Sequence, residues 1–218
     1  MRGRFIVIEG ADGSGTTSVV EAIEKRYPRI IRTAEPTSGP IGRLLREYLS
    51  GDAPRVSNKV LEHLFRADRL DHVQSFIEPV LENGKTLVCD RYTISTLVYQ
   101  SIRDSLKSSI HAMQFMYDEM TLSEGDLLVI PDLVIFLDAD VDVMAKRVAD
   151  RINTTEKTGE IFEVPETQRM VVDLYREWFD NSSYTENRVR VDANKPLKDV
   201  LGEVYRHIDS MVISTPFS

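Results

Sequence analysis

The sequence predicts a three-layer α/β/α fold built on a five-stranded parallel sheet. Two observations support this prediction. Short β-branched runs alternate with amphipathic helical patterns, and a glycine-rich loop joins the first run to the first helical pattern. Such alternation places helices on both faces of a parallel sheet and ligands at the carboxyl ends of its strands. The chain of 218 residues is long enough for one buried core, so we expect a single domain over residues 1–218.

The predicted strands are short and rich in β-branched residues. The first, Phe5–Ile8, is entirely apolar and is bounded by glycine, which is typical of a strand buried on both faces. Comparable runs recur along the chain. The predicted strands are Phe5–Ile8, Arg29–Thr33, Thr86–Cys89, Asp132–Leu137 and Arg188–Val191.

Helical patterns occupy three of the four intervals between these strands and follow the last strand. The pattern is clear in Ile41–Leu49, where Ile41, Leu44, Leu45 and Tyr48 fall on one stripe. Glycine-containing pairs after residues 49 and 82 mark where two of the helices end. The predicted helices are Thr17–Tyr27, Ile41–Leu49, Ser57–Glu82, Val141–Arg151, Glu166–Phe179 and Leu197–Ile213.

The bulk composition argues against several classes of function. A formal net charge of −8 would repel a nucleic-acid backbone, so we do not expect a polynucleotide partner. The single cysteine, Cys89, leaves no disulfide framework and no zinc cluster, and it fits a reducing compartment. No stretch reaches membrane-spanning length and no targeting signal is apparent. We therefore expect a cytoplasmic protein without membrane association.

The loop between the first strand and the first helix has the composition of a phosphate-binding loop. Its glycines allow successive backbone N–H groups to surround a phosphate, and the helix N-terminus adds a partial positive charge. Thr17 stands at the position whose hydroxyl binds magnesium, whereas Thr16 stands where the motif has lysine. The alternative is a strand-to-helix turn that binds nothing. The predicted ATP-binding residues are Gly10, Ala11, Asp12, Gly13, Ser14, Gly15, Thr16 and Thr17.

The order of further motifs resembles the thymidylate kinase family. The motifs are Phe5–Gly15, Glu35-Pro36 followed by Pro40–Gly42, Leu64–Arg69, Asp90–Tyr92 followed by Ser95–Gln100, Pro131–Asp138 and Val191–Ala193. The resemblance spans almost the whole chain. It implies a P-loop nucleoside monophosphate kinase fold, ATP as donor, dTMP as acceptor, magnesium as cofactor and a homodimer.

The resemblance also assigns the recognition of the base. It implies that Phe65 stacks on the thymine ring and that Arg69 hydrogen-bonds a base carbonyl. These two residues are four apart on a predicted helix, so their side chains share one face. The alternative is that Phe65 belongs to a core stripe with Leu61 and Leu64.

The resemblance implies that Asp90 and Arg91 act on the phosphates. Asp90 would hold the magnesium shell together with Thr17, and Arg91 would clamp phosphate oxygens with its planar guanidinium. Both residues follow a predicted strand, at the edge of the sheet where ligands bind. A surface ion pair is the alternative for Arg91.

Positions around the sugar complete the implied acceptor site. Asp12 matches the acidic residue that contacts the 3′-hydroxyl. Ser95, Thr96 and Gln100 match positions that line the thymine and the sugar. Tyr99 matches the tyrosine that excludes a 2′-hydroxyl, because a hydroxyl without room or partner is rejected. The alternative is that Tyr99 only packs.

Three cationic positions of the family pattern carry uncharged residues here, namely Thr16, Ala34 and Ile161. We expect Arg147 or Arg151, one helical turn apart, to reach the ATP phosphates when a lid near residues 150–163 closes. These two arginines complete the predicted catalytic set with Asp90 and Arg91. Further candidate cations are Lys157 in the lid and Arg32, Arg43 and Arg66 around the acceptor phosphate.

The missing lysine leaves three functions open. The first is an active dTMP kinase. The second is a catalytically weak or inactive nucleotide-binding protein that regulates a partner, since losing a cation from such a site costs roughly 10³-fold in rate. The third is a kinase for another acceptor, such as dUMP, another monophosphate or a deoxynucleoside.

Overall fold

A parallel sheet of five strands forms the centre of the computed structural model, which describes residues 2–103, 128–154, 165–181 and 187–213. The spatial order of the strands is β2-β3-β1-β4-β5. Every observed boundary lies within two residues of its predicted position, so the predicted sheet is confirmed. The strands are β1 (Phe5–Glu9), β2 (Ile31–Ala34), β3 (Leu87–Asp90), β4 (Leu133–Asp138) and β5 (Arg188–Asp192).

Strand β1 occupies the middle of the sheet and is buried along its whole length. Ile8 pairs with Asp90 of β3 on one side and with Ile135 of β4 on the other. After β1 the chain forms β2 and β3, which lie on one side of β1. The connection from β3 to β4 then crosses β1, so that β4 and β5 lie on its other side. Strand order therefore reverses at β1, and ligands of such folds bind at this point, outside the carboxyl ends of the strands.

Helices cover both faces of the sheet. Helices α1 and α8 contact each other and pack on β1, β2, β3 and β5, whereas α3, α5 and α7 form a connected layer that reaches β4. No helix in the described ranges is both long enough and apolar enough to cross a bilayer. The helices are α1 (Thr16–Arg26), α2 (Pro40–Leu49), α3 (Asn58–His72), α4 (Glu78–Glu82), α5 (Thr93–Arg103), α6 (Val141–Thr154), α7 (Pro165–Asn181) and α8 (Leu197–Ile213).

The helix predicted over Ser57–Glu82 is helical almost throughout but is not a single α-helix. A π-helical segment, Val73–Ile77, separates α3 from α4. Pro79 lacks an N–H, and its ring would clash with the carbonyl of Ser75 in a regular helix. The wider turn accommodates the proline, and the N–H of Glu78 donates to the carbonyl of Val73.

Helix α5 was not predicted. Its residues include several of low helix propensity, among them the β-branched Thr93, Ile94, Thr96 and Val98. The first N–H groups of a helix lack partners within the helix. Here the Glu9 carboxyl, at the end of β1, accepts hydrogen bonds from the N–H groups of Tyr92 and Ser95. A residue 83 positions earlier therefore stabilises the start of this helix.

Candidate active site

A cleft of about 1060 Å³ opens at the carboxyl ends of β1, β2 and β3. The loop after β1, the segment after β2, one face of α3 and the turn between β3 and α5 contribute to its wall. The structure therefore brings most of the predicted site residues together. Those that line the cleft are Asp12, Gly13, Gly15, Thr16, Thr17, Phe65, Arg69, Asp90, Arg91, Ser95, Thr96, Tyr99 and Arg147.

The glycine-rich loop has the backbone conformation that anion binding requires. Gly13 and Gly15 have φ values of 87° and 101°, which favour glycine. A Cβ at Gly13 would also lie 2.9 Å from the carbonyl oxygen of Met144. Gly10, Ala11 and Ser14 belong to the loop without lining the cleft, and the N–H of Ser14 donates to the Ala11 carbonyl at 3.0 Å. Helix α1 begins at Thr16, so its N-terminus faces the cleft.

The two residues predicted to bind magnesium, Thr17 and Asp90, are hydrogen-bonded to each other. The Thr17 hydroxyl donates to Asp90 Oδ2 at 2.6 Å, and Asp90 is mostly buried. Asp90 Oδ1 is buried and has no hydrogen-bond partner among the described residues. Magnesium bound with nucleotides takes hard oxygen ligands, usually one or two from the protein and the others from phosphates and water. The pair therefore fits a nucleotide-bound magnesium ion.

Arg91 and Tyr99 both contact the carboxylate of Asp12. Arg91 Nη2 donates to Asp12 Oδ1 at 2.5 Å, and the Tyr99 hydroxyl donates to Oδ2 at 2.8 Å. The Arg91 guanidinium also lies 5.7 Å from the centre of the Tyr99 ring. Burial disfavours the charge on Arg91, but the electrostatic effects of Tyr99, Asp12 and its other neighbours outweigh burial and raise its pKa. Arg91 is thus a fixed cation, mostly shielded from solvent rather than part of a surface ion pair.

Arg69 is held in place by a buried ion pair. Its Nε and Nη2 donate to Glu35 Oε2 at 3.0 and 2.6 Å, and Nη2 also donates to Thr96 Oγ1 at 2.8 Å. His72 Nδ1 lies 3.0 Å from Glu35 Oε1. Phe65, one turn earlier on α3, is half-buried, lines the cleft and lies outside the described hydrophobic core. Phe65 and Arg69 therefore both line the cleft, and Phe65 is not part of the described core.

Glu35 is the residue that sequence reasoning missed in this cluster. Burial raises the pKa of its carboxyl, but the charge of Arg69 and the hydrogen bond with His72 outweigh burial, and the pKa is lowered. Glu35 is therefore an ionised partner for Arg69. Its place in the Glu35-Pro36 motif was noticed in the sequence, but nothing in the local pattern connects it with a residue 34 positions away.

A second missed cluster lies under the Arg91 turn. Glu9 Oε1 accepts hydrogen bonds from the N–H groups of Tyr92 and Ser95 at 2.9 and 3.3 Å. Glu9 Oε2 accepts hydrogen bonds from the Ser95 and Tyr175 hydroxyls at 2.6 and 3.0 Å. Burial raises the pKa of Glu9, and it outweighs these hydrogen bonds and the charge of Arg91, which act to lower that pKa. The sequence signal was present: one carboxylate ends an otherwise apolar strand.

The remaining predicted site residues differ in where they lie relative to the cleft. Gln100 is buried and does not line the cleft, in contrast to Ser95 and Thr96. Arg147 Nη1 and Nη2 donate to the carbonyls of Ser14 and Ala193 at 3.3 and 2.8 Å, so this arginine lies against the phosphate loop. The Arg151 side chain and residues 155–163 of the expected lid, which include Lys157 and Ile161, lie outside the described residues.

The three arginines expected around the acceptor phosphate do not line the cleft. Arg32 pairs with Glu21 and Glu24, Arg43 donates to the Ser38 carbonyl, and Arg66 pairs with Glu62. Arg46, one turn beyond Arg43 on α2, lines the cleft and donates to the carbonyl of Pro36. Proximity in sequence to the motifs did not indicate which arginine of α2 faces the cleft.

The sheet order, the glycine-rich loop before α1 and the cleft beside it, which four arginines help to line, define the class of P-loop nucleoside monophosphate kinases. Comparison with known proteins then narrows the class. A family model described as thymidylate kinase matches residues 8–204. The chain belongs to the thymidylate kinase family, so the resemblance inferred from the sequence is confirmed.

Individual relatives agree over nearly the full length. A probable thymidylate kinase of Pyrobaculum aerophilum is 31% identical over 95% of this chain and 97% of its own length. A thymidylate kinase of Rhodopseudomonas palustris is 31% identical over 100% of this chain and 93% of its own length. A solved thymidylate kinase of Candida albicans has a TM-score of 0.77 with 24% identity, covering 96% of this chain and 92% of the other. That structural likeness confirms the predicted fold.

Proposed function

We propose that this chain transfers the γ-phosphoryl group of ATP to dTMP and so forms dTDP for dTTP biosynthesis. Membership of a family of phosphotransferases supports the reaction class. The observation that carries the proposal is that one cleft combines the phosphate loop with the Asp12–Arg91 pair and with Phe65 and Arg69. A donor site and a base-recognition site thus lie within reach of each other.

The donor side of the cleft suits a nucleoside triphosphate. The N–H groups of the loop and the N-terminus of α1 surround the β-phosphate and γ-phosphate. Thr17 and Asp90 would hold Mg²⁺, which when bound offsets charge on the phosphate oxygens. The chain's own contribution is to place the loop, the hydroxyl and the carboxylate in one arrangement before the substrate arrives.

The acceptor side recognises a deoxynucleotide through four kinds of contact. Phe65 stacks on the base and Arg69, fixed by Glu35, donates to a base carbonyl. Asp12 accepts from the 3′-hydroxyl, and Tyr99 occupies the space of a 2′-hydroxyl. Ser95, Thr96 and Gln100 shape the pocket around the base and the sugar. Arg91 engages the phosphate oxygens with two donors and stabilises the charge of the transferring group.

Arg147 is the described residue that best fits the role of the absent loop lysine. It lies against the loop through its bond to the Ser14 carbonyl. A guanidinium in this place can turn towards the phosphates of ATP when the lid near residues 150–163 closes, and Arg151 would act beside it. The single domain over 1–218 with such a lid belongs to this proposal.

The proposal includes a homodimer and a cytoplasmic location. Leu44 on α2 and Val60 on α3 are 44% and 46% exposed, and these two helices contact each other. Burying this pair against a second copy would form a homodimer. The buried thiol of Cys89 and the use of ATP fit the cytoplasm. Sedimentation equilibrium at micromolar concentration tests the dimer, since a monomeric mass excludes it.

Thr16 lines the cleft where a lysine would extend. Because that lysine is missing, two other functions are tested against the proposal. One is a weak or inactive nucleotide-binding regulator, and the other is a kinase for a different acceptor. Steady-state formation of ADP with ATP, Mg²⁺ and a panel of dTMP, dUMP, other monophosphates and deoxynucleosides separates them. Formation that depends on dTMP supports the proposal. No turnover supports the regulator, and a better acceptor than dTMP supports the third function.

A further inference from the structure

Three oxygen atoms beneath the Arg91 turn lie within hydrogen-bonding distance of one another. Glu9 Oε2 is 2.6 Å from Ser95 Oγ and 3.0 Å from the Tyr175 hydroxyl, and these two hydroxyls are 2.7 Å apart. All three side chains are buried. The three contacts form a closed triangle between β1, α5 and α7.

Counting hydrogen atoms shows what this triangle requires. The hydroxyls of Ser95 and Tyr175 carry one hydrogen each, so they can occupy two of the three contacts. If Glu9 were ionised, the third contact would place two lone pairs against each other in a buried site. Arg91 Nη1 lies 3.5 Å from Ser95 Oγ and adds no hydrogen to the triangle itself. A proton on Glu9 Oε2 lets each oxygen donate once and accept once.

The other carboxyl oxygen has the contacts of a carbonyl. Glu9 Oε1 accepts from the N–H groups of Tyr92 and Ser95, which are the residues after the Arg91 turn and in the first turn of α5. A protonated carboxyl has one such acceptor oxygen and one hydroxyl. The two oxygens of Glu9 therefore occupy different surroundings, and each surrounding matches one half of an uncharged carboxylic acid.

Glu9 also lies where it controls the backbone of Arg91. Arg91 has φ of 66°, a left-handed conformation that costs free energy in a residue with a side chain and persists only where neighbours hold it. The Arg91 N–H donates to the Ile8 carbonyl at 2.9 Å, and the next N–H, that of Tyr92, donates to Glu9. The last two residues of β1 thus hold both sides of this turn.

We propose that Glu9 is a positioning residue of the acceptor site, which acts as a protonated, uncharged carboxylic acid to hold Arg91 in its left-handed turn. An uncharged group suits the location, because Asp12 and Asp90 already place two carboxylates around Arg91 and the site receives anionic phosphates. The raised pKa of Glu9, caused mainly by burial, agrees with this state. The groups facing Glu9 from the neighbouring elements are Arg91 on the turn and Tyr175 on α7.

The consequence for turnover rests on the proposed function, so the test has one readout that depends on activity and one that does not. Three variants serve both. Glu9→Gln keeps the shape, one acceptor oxygen and a donor, and it resembles the protonated acid. Glu9→Leu keeps the approximate volume and removes every hydrogen bond. Glu62→Gln, at a buried carboxylate on α3 paired with Lys59 and Arg66, is the matched control.

We expect kcat/KM for dTMP to fall by about 100-fold in Glu9→Leu, since misplacing a group by about 1 Å costs that much, and by no more than about 3-fold in Glu9→Gln. KM for ATP should stay within about twofold, because the positioning acts on the acceptor side. A general loss of folded protein would lower kcat and leave both KM values unchanged. Equal losses in Glu9→Gln and Glu9→Leu, or no loss in either, would overturn the proposal.

The second readout is the infrared difference spectrum of wild type minus Glu9→Gln at pH 7. We expect the carbonyl band of a protonated carboxylic acid, absent from the Glu62→Gln difference. A carboxylate band in its place overturns the uncharged state, even if wild type has no activity with dTMP, in which case the proposed function fails separately.

If Glu9→Leu does not fold, Glu9→Asp replaces it, because the shorter side chain cannot reach both N–H groups and both hydroxyls. We expect the same 100-fold loss there.

Discussion

The carboxylate of Asp12, in the phosphate loop, contacts the guanidinium of Arg91, in the turn after β3, at 2.5 Å. This ion pair joins the loop after β1 to the turn after β3, which the proposed function assigns to the donor and to the acceptor. Tyr99 donates to the other oxygen of the same carboxylate. Under the proposed function, an acceptor phosphate would compete for Arg91 and a sugar hydroxyl would compete for Asp12. Specific losses should follow when each of these residues is changed.

Arg91→Ala should lower kcat with dTMP by about 10³-fold, because phosphoryl transfer depends on cations that stabilise the transferring group. Arg91→Lys should recover only a part of the rate, since an ammonium lacks the planar pair of donors. Arg32→Ala is the control, because Arg32 forms exposed ion pairs with Glu21 and Glu24 outside the cleft. Steady-state kinetics measure all three. A loss of less than tenfold in Arg91→Ala would remove this residue from the catalytic set.

Tyr99→Ala should relax the preference for deoxynucleotides. We expect the ratio of kcat/KM for dUMP to that for UMP to fall by about tenfold, because the ring no longer fills the space of a 2′-hydroxyl. Tyr99→Phe keeps the ring and removes the hydroxyl that donates to Asp12, so it should keep the ratio while raising KM for both acceptors. If both variants keep the wild-type ratio, Tyr99 only packs in the site.

Arg147→Ala should lower kcat by about 10²- to 10³-fold if this arginine supplies the cation that the loop lacks. The decisive variant is Arg147→Ala combined with Thr16→Lys, which should restore at least a tenth of the wild-type kcat, because a lysine at the loop position supplies the same charge. Lys146→Ala, at an exposed position one residue earlier, is the control and should have no effect. No rescue would show that Arg147 has a different role.

The parts of the fold that sequence analysis predicted well are those whose cause is local. The buried strand Phe5–Glu9 and helix α2 depend on the apolar pattern of a few neighbouring residues. Helix α5 was missed because its start depends on Glu9, far away in sequence, while its own residues have low helix propensity. Tertiary contacts override propensity here, and a single sequence does not show them.

The difference between local causes and tertiary contacts also applies to the site. The phosphate loop was predicted because its glycines and Thr17 all lie within residues 10–17 and each residue type has its own physical reason. The partners of Arg69 and Arg91 were not predicted, because Glu35 and Asp12 meet them only through the strand order. Arg43 was expected near the acceptor phosphate, but Arg46 lines the cleft. The two arginines lie within one turn of α2, and only the position of that helix decides which of them lines the cleft.

Two buried glutamates, Glu35 and Glu9, should give opposite dependences of stability on pH. Folding lowers the pKa of Glu35 from 4.5, so its ionised form stabilises the fold above about pH 4.5, and this contribution is lost as the pH falls through the folded pKa. Glu35→Gln leaves the Arg69 charge buried without its carboxylate and should cost about 3–5 kcal/mol at pH 7. That deficit relative to wild type should shrink as the pH falls below 4.5.

Folding raises the pKa of Glu9 from 4.5, so the effect of Glu9 on stability changes with pH in the opposite direction to that of Glu35. As the pH rises above 4.5 the unfolded chain releases this proton while the folded chain keeps it, and wild type loses stability that Glu9→Gln does not lose. The free energy of unfolding of Glu9→Gln relative to wild type should therefore increase between pH 4.5 and the folded pKa. Urea unfolding of the three proteins across this range measures both trends. A difference between Glu9→Gln and wild type that does not change with pH would mean that Glu9 has the same pKa in the folded and unfolded chains.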